Sequence, residues 1–326
     1  MALIMYDAIA LGELLIDFAP VSTNKDGYPT LAAKPGGAPC NYLAALAKYG
    51  AKTALYAKVG TDTFGKLLVQ TLKEAGVETS CIVEDASVFT TLAFVTLDAS
   101  GNRSFSFARK PGADTCLRYE ELDLSFIDNS RTFHFGTLSL TNEPAREATQ
   151  KAAAYAVNAG KLITFDPNLR ASLWDNLDEA KTQILWGLRQ ADIVKISDEE
   201  VEFLWGCGEQ EGAEKLLEEF NVKLAMITGG HKGAYLRNKD ASVQAACPPV
   251  KPVDTTGAGD IFGGSAVSRI LKLNKAPENL SKEELAEIAA FAVTAASLST
   301  QKPGGMPSVP DEAEVLKILK ENTNNN

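Results

Sequence analysis

The segment Asp254–Asp260 combines carboxylates with glycines in the pattern DTTGAGD and leads directly into a helical run. Glycine has no Cβ, so Gly257 and Gly259 let the backbone approach a ligand closely. The N–H groups of Ala258, Gly259 and Asp260, with the helix dipole behind them, predict a site for developing phosphate charge. A carboxylate is unsuited to binding phosphate, so Asp260 is interpreted as the base that takes a proton from an acceptor hydroxyl during phosphoryl transfer. The competing interpretation is an acidic helix cap after a glycine turn.

A second motif, Gly36-Gly37-Ala38-Pro39-Cys40-Asn41, opens a helix predicted over Pro39–Tyr49. Two glycines allow main-chain amides to contact a sugar, and Asn41 on the first helical turn can donate and accept hydrogen bonds to hydroxyls. Asp17, in an otherwise apolar strand, could receive two more hydroxyls. For Asp17 alone, a structural role at a strand edge is the favoured interpretation.

The elements that must position these residues alternate between strands and helices from Thr132 onward. Strands separated by helical stretches predict an α/β fold with a doubly wound, mostly parallel sheet and helices on both faces. The short apolar strands are predicted at Thr132–Phe135, Leu162–Phe165, Ile193–Ile196 and Leu224–Ile227.

A small β lid is predicted to interrupt this alternation. Thr90–Leu97 and Arg103–Ala108 are rich in strand-forming residues, and the turn-forming segment Asp98–Asn102 joins them into a hairpin. We expect one domain over residues 1–326, with the lid formed by about residues 14–34 and 88–112.

Composition excludes several classes of function. The net charge of −10 and the pI of about 4.9 make nucleic acid and anionic membranes unsuitable partners. Five cysteines without a Cys-x-x-Cys pair predict a reducing, cytoplasmic location. With only two histidines, a His-rich metal site is excluded.

Together these motifs resemble the ribokinase-like (pfkB) carbohydrate kinase family over nearly the whole chain. The carboxy-terminal signature matches Asp254–Asp260 without departure, and the amino-terminal signature matches Gly36–Asn41 through Gly50 and Gly60. Further likenesses are the lid strand (Phe105–Arg109), the fructokinase branch (Asp166–Arg170), the nucleotide-binding strand end (Thr228–Gly233) and the loop behind the adenine with a monovalent-cation site (Gly304–Pro310).

The resemblance implies an ATP-dependent sugar kinase that needs Mg²⁺, with K⁺ as a candidate activator. It implies that Asp260 is the base and that Gly257, Ala258 and Gly259 form the anion hole. It assigns the sugar to Asp17, Gly36, Gly37, Asn41, Phe107, Arg109 and Arg170. It assigns the nucleotide to Thr228, Gly230, Gly233, Thr255, Gly257 and Gly259.

The family's metal motif, Asn-x-x-Glu, is only partly kept. Ser197 replaces the asparagine, whereas Glu200 retains the glutamate and is the candidate to organise Mg²⁺ through water. Asp166 is the second metal candidate.

For the substrate we expect D-fructose, phosphorylated to fructose 6-phosphate at its terminal hydroxyl. A 2-keto-3-deoxygluconate kinase is the alternative, because Arg109 and Arg170 could pair the carboxylate of that sugar, although Asp17 would oppose it. A non-catalytic sugar-binding relative is the third hypothesis. A homodimer through the lid is the expected protein partner.

Overall fold

The computed structural model describes residues 5–97 and 103–324. Its strands are β1 (Tyr6–Leu11), β2 (Leu15–Thr23), β3 (Pro29–Gly36), β4 (Thr53–Gly60), β5 (Val77–Glu78), β6 (Ile82–Asp85), β7 (Leu92–Leu97), β8 (Arg103–Ala108), β9 (Ser130–Gly136), β10 (Leu162–Asp166), β11 (Ile193–Ser197), β12 (Leu224–Thr228), β13 (Ala234–Arg237) and β14 (Ser242–Ala245). Its α-helices are α1 (Ala38–Lys48), α2 (Thr63–Glu74), α3 (Ser125–Asp128), α4 (Ala145–Asn158), α5 (Leu177–Gln190), α6 (Asp198–Trp205), α7 (Glu209–Phe220), α8 (Ala258–Leu273), α9 (Lys282–Ser299) and α10 (Glu312–Asn324).

The main sheet has the strand order β14-β13-β12-β11-β10-β9-β1-β4-β5, and β6 also pairs with β4. Neighbouring strands from β4 to β12 are parallel, whereas β13 and β14 add an antiparallel edge. This arrangement confirms the predicted doubly wound, mostly parallel sheet.

Alternating side chains of the central strands are buried on both faces of the main sheet. In β1, Ile9 and Leu11 pack with the core beneath α4, α5, α6 and α7, whereas Ala8 and Ala10 pack with α1 and α2 on the opposite face. Successive residues of a strand point to opposite faces, so a strand covered by helices on both sides must be apolar throughout. The apolar runs in the sequence therefore mark the middle of the sheet.

A separate sheet of order β3-β2-β7-β8 forms the lid. The predicted hairpin is confirmed by the antiparallel pairing of β7 with β8, while its turn, Asp98–Asn102, lies outside the described residues. The strand β3 was missed as a strand because Lys34-Pro35-Gly36 is untypical of one, and its pairing with β2 holds it extended. Asp17 is opposite Lys34 in that pairing.

Helices α1 and α8 lie side by side on one face of the main sheet. Their close approach depends on Gly264, where a Cβ would overlap the carbonyl oxygen of Tyr42. The first turns of the two helices are consequently neighbours, although the motifs that they carry are more than 200 residues apart.

Neither a membrane-spanning helix nor a disulfide is found in the described part of the chain. Within residues 5–97 and 103–324, no helix is both long and apolar enough to cross a membrane. Cys40, Cys81, Cys116, Cys207 and Cys247 are free thiols.

Candidate active site

The first turn of α8 begins at a glycine that other residues could not replace without strain. Gly257 adopts φ of 76°, in the left-handed region. A Cβ at this position would lie 2.9 Å from Asn41 Nδ2 and 3.0 Å from the Cα of Gly305. The glycine therefore allows three segments of the chain to meet at one point.

Backbone N–H groups at this helix start are available to a ligand. The N–H of Ala258 donates to the carbonyl of Thr255 over a long 3.3 Å. Gly259 and Asp260 follow within the first turn, where N–H groups have no intrahelical acceptor. Their dipoles and the positive helix end suit a transferring phosphoryl group.

Asp260 is held by the second motif. Asn41 Nδ2 donates to Asp260 Oδ2 at 2.8 Å, and Asn41 itself is buried. Burial raises the pKa of Asp260, against the lowering effects of the Lys195 ammonium and of the Asn41 hydrogen bond. A carboxylate with a raised pKa is a stronger base than one in open solvent.

A cavity of about 160 Å³ opens in front of Asp260, beneath the lid. It is lined by Glu13, Leu15, Asp17, Gly37, Ala38, Asn41, Phe107, Leu138, Asn168, Arg170, Thr255, Thr256, Gly257 and Asp260. We call it the smaller cavity. Most of the residues predicted to hold the sugar therefore line the same cavity as the predicted base.

Gly36 contributes to the smaller cavity indirectly. It does not line the cavity, but a Cβ at Gly36 would overlap Asp17 Oδ2, so the glycine makes room for that carboxyl group. Burial raises the pKa of Asp17 to about 6, although Arg170 opposes the rise. Asp17 therefore lies in the cavity wall rather than serving only as an edge-strand residue.

Arg109, predicted to hold the sugar, is bonded to other protein groups in this structure. Its guanidinium is buried and bonded to Asp114, with Nε and Nη2 at 2.8 and 2.7 Å from Oδ2. Nη1 donates to Thr141 Oγ1 at 2.7 Å and Nη2 to the carbonyl of Leu138 at 2.9 Å. Arg109 thus supports the segment that carries Leu138, a lining residue, and does not itself line the smaller cavity.

A larger cavity of about 530 Å³ lies on the other side of the α8 first turn. The predicted nucleotide residues that line it are Thr228, Gly230, Gly233, Thr255 and Gly259. Its remaining lining is mostly apolar and includes Pro248, Pro249, Val250, Phe262, Val293 and Ala296. Gly257 lines the smaller cavity instead.

The two cavities meet at the start of α8. Thr255 borders both, Ala258 and Gly259 border the larger one, and Gly257 and Asp260 border the smaller one. A group bound in one cavity can therefore be passed over a helix N-terminus to an acceptor in the other.

The two metal candidates are engaged with other groups. Glu200 forms a capping box with Ser197, and its two carboxylate oxygens accept the N–H groups of Ser197 at 2.8 Å and Leu169 at 2.7 Å. Asp166 is ion-paired with Lys195, whose Nζ lies 3.0 Å from Asp166 Oδ2. This pairing argues against Asp166 as a metal ligand. Across the described residues, no group of three or more His, Cys, Asp or Glu side chains could hold a metal.

Lys195, Glu13 and Asn168 were missed by the sequence analysis. Lys195 is buried below the α8 first turn, where a Cβ on Gly259 would lie 2.8 Å from its Nζ. Burial alone would lower the pKa of Lys195. Nearby carboxylates, Asp166 foremost, raise the pKa by more than burial lowers it, so the side chain is a cation. The sequence does contain a signal for Lys195 and Glu13, because each is a charged residue inside an apolar strand region.

Comparison with known proteins decides the family. Residues 5–312 match the family model described as pfkB family carbohydrate kinase. The chain belongs to the pfkB family of carbohydrate kinases. It is therefore an ATP-dependent sugar phosphotransferase.

Several relatives of this pfkB kinase are fructokinases. It is 40% identical over 317 residues to Fructokinase-1 of Zea mays, covering 96% of this chain and 97% of that protein. A structure of a Xylella fastidiosa fructokinase with bound ATP superposes with a TM-score of 0.89 at 29% identity, covering 97% of this chain and 99% of the other. A Vibrio cholerae fructokinase with fructose, ADP and calcium ion bound gives a TM-score of 0.86 at 31% identity, covering 96% and 99%.

Proposed function

We propose that this pfkB kinase transfers the γ-phosphoryl group of ATP to the terminal hydroxyl of D-fructose, with Asp260 as the base. The observation that carries the proposal is the meeting of the two cavities at the first turn of α8. ATP occupies the larger cavity and the sugar the smaller one, which contains Asp260. The γ-phosphate then lies over the N–H groups of Gly259 and Asp260.

Each step of the transfer uses a group of this site. Asp260 accepts the proton of the sugar hydroxyl as the hydroxyl oxygen forms a bond to the γ-phosphorus. The bond from that phosphorus to the β–γ bridging oxygen breaks, and ADP leaves with the electron pair. The helix N-terminus stabilises the charge on the transferring group. The Lys195 ammonium below Gly259 adds a positive charge near the same point.

Mg²⁺ is the proposed metal, and the residues present fit it. Mg²⁺ keeps several of its waters and binds substrate phosphates, so it does not need a complete set of protein ligands. Glu200 is buried on the first turn of α6 and would orient a water of its shell. When bound, the ion would neutralise negative charge on the phosphates of ATP. K⁺ stays a proposed activator, to be checked by replacing K⁺ with Na⁺ in the assay.

The charges of the smaller cavity favour a neutral sugar. The carboxyl groups of Asp17 and Asp260 line it against the guanidinium of Arg170. The carboxylate of 2-keto-3-deoxygluconate would have to compete with Asp17 for this guanidinium, and a buried unpaired charge is costly. Fructose offers only hydroxyl and ether oxygens. Relatives whose names describe them as fructokinases support the same choice.

The test is kcat/KM for D-fructose and for 2-keto-3-deoxygluconate under identical conditions with ATP and Mg²⁺. Fructose should be favoured at least tenfold, which corresponds to about 1.4 kcal/mol of discrimination. If the deoxygluconate is favoured by that factor, the sugar assignment is wrong, although the kinase activity stands. Turnover of neither sugar would mean that the substrate is a different sugar, to be found with a wider panel.

A homodimer through the lid also stays a proposal. Val21 and Tyr28, near the β2–β3 turn, are 65% and 68% exposed, and apolar side chains this exposed suit a contact surface. Phe107, on the lid strand β8, lines the smaller cavity and is therefore not part of this exposed surface. Sedimentation of the wild-type protein and of a Val21→Lys/Tyr28→Lys variant would test it.

A further inference from the structure

Glu13 belongs to none of the motifs, yet it has an unusual position. It lies between β1 and β2, is only 4% exposed, and lines the smaller cavity with Asp17 and Asp260. Its Oε1 accepts the N–H of Ala38, the first residue of α1, at 2.8 Å. The carboxyl group is therefore fixed in the wall of the proposed sugar site.

The backbone of Glu13 is fixed as well. Its carbonyl oxygen accepts a hydrogen bond from Cys40 Sγ at 3.4 Å. Gly37, at φ of 124°, packs against the same carbonyl, where a Cβ would overlap it. Glu13 and the first turn of α1 thus form one rigid unit, and rigid polar groups are those that select a ligand by hydrogen bonding.

The surroundings of Glu13 oppose a negative charge. Burial raises the pKa of Glu13 to about 7; the Ala38 N–H opposes the rise, and the carboxyls of Asp114 and Asp260 add to it. Other ionisable groups near the carboxyl are Asp17 and Arg170 in the same cavity and the Cys40 thiol on α1. A carboxyl group that keeps its proton is a hydrogen-bond donor, which a carboxylate is not.

The smaller cavity is rich in acceptors, and a protonated Glu13 would add a neutral donor to the guanidinium of Arg170. Asp17 and Asp260 offer acceptors when ionised, and the Nδ2 of Asn41 already donates to Asp260. Hydroxyl groups of a sugar can serve those acceptors, but its ring or carbonyl oxygen can only accept a hydrogen bond.

We propose that Glu13 is a sugar-binding residue that acts as a neutral acid, donating its carboxyl O–H to an oxygen of the bound sugar. Affinity for the sugar is then highest while the proton is present and falls when it is lost. This inference rests on the proposed function of the smaller cavity. It makes Glu13 a determinant of selectivity for uncharged polyhydroxy ligands.

The test compares the wild-type protein with Glu13→Gln and Glu13→Ala, measuring KM and kcat separately from pH 6 to pH 9. The amide of Glu13→Gln keeps an acceptor for Ala38 and a donor that does not titrate. Wild-type KM for the sugar should rise roughly tenfold above pH 7, the loss expected for one hydrogen bond, with little change in kcat. KM of Glu13→Gln should stay nearly constant over the same range, and that of Glu13→Ala should be high throughout.

The comparison separates this inference from the proposed substrate. The sugar used is whichever one of a panel gives the highest kcat/KM, so failure with fructose would overturn the substrate assignment alone. Titration of Asp17 affects all three proteins, so only the difference between wild type and Glu13→Gln reports on Glu13. A KM that rises equally in both, or a Glu13→Gln protein as impaired as Glu13→Ala, would overturn the role of Glu13.

Discussion

The buried pair of Lys195 and Asp166 offers a prediction with two separate readouts. The side chains are 11% and 7% exposed, and Nζ lies 3.0 Å from Oδ2. Lys195→Met leaves the carboxylate of Asp166 buried without its cation, and breaking such a pair costs about 3–5 kcal/mol of unfolding free energy. The double variant Lys195→Met/Asp166→Asn removes both charges and should recover most of that loss. Denaturant unfolding of the three proteins measures it.

The second readout is the pH dependence of kcat/KM. Among the charges around Asp260, Lys195 has the largest lowering effect on its pKa. Removing the ammonium should raise the pKa of Asp260, so the acidic limb of the profile should move to higher pH. The loss of activity should then be larger at pH 6 than at pH 8. The double variant also lacks the cation, so the pKa of Asp260 should stay raised. The shift should be smaller than in Lys195→Met, because the negative charge of Asp166 is removed as well.

Two results would refute this reasoning. If Lys195→Met is as stable as the wild type, the pair is not the buried ionic contact described. If the single variant loses stability but keeps the wild-type acidic limb, Lys195 supports the fold and has no electrostatic effect on Asp260.

Three further predictions follow from the same contacts. Gly259→Val should lower kcat by roughly 10²-fold or more, because its side chain would meet Lys195 and disturb the N–H groups that stabilise transferring charge. Arg109→Met should cost about 3–5 kcal/mol of unfolding free energy, because it leaves Asp114 buried without its partner. Glu200→Gln should raise the Mg²⁺ concentration needed for half-maximal activity, measured by titration at fixed ATP.

Each of the three has an outcome that contradicts it. Full turnover in Gly259→Val would leave this glycine only a role in the turn. An Arg109→Met protein with wild-type stability but a greatly raised KM would return Arg109 to the sugar site. An unchanged Mg²⁺ titration in Glu200→Gln would remove Glu200 from the metal proposal.

The sequence predicted the residues whose role depends on local chain geometry. Asp260 at a helix start after glycines, and Asn41 on the first turn of another helix, are both readable from the spacing of the motifs. Their mutual hydrogen bond could not be predicted from spacing, because it depends on how α1 and α8 pack.

The residues that sequence reasoning misplaced or missed are those whose partners lie on other structural elements. Arg109 looked like a sugar ligand because the family's lid strand ends there, but Asp114 and the carbonyl of Leu138 occupy its donors. Lys195 interrupts a buried apolar strand, and only the sheet order brings it beside Asp166. The role of a buried charge depends on its partner, and local sequence patterns do not specify that partner.

The central claim, that Asp260 is the base of a sugar kinase, is tested most directly by the kcat of Asp260→Asn with saturating D-fructose, ATP and Mg²⁺. The amide keeps the size of the side chain but cannot accept the proton, so kcat should fall at least about 10²-fold. Sugar and nucleotide binding should change far less, and the matched control Asp240→Asn, at a residue whose side chain is 64% exposed, should retain wild-type turnover. A kcat of Asp260→Asn close to that of the wild type would contradict the account.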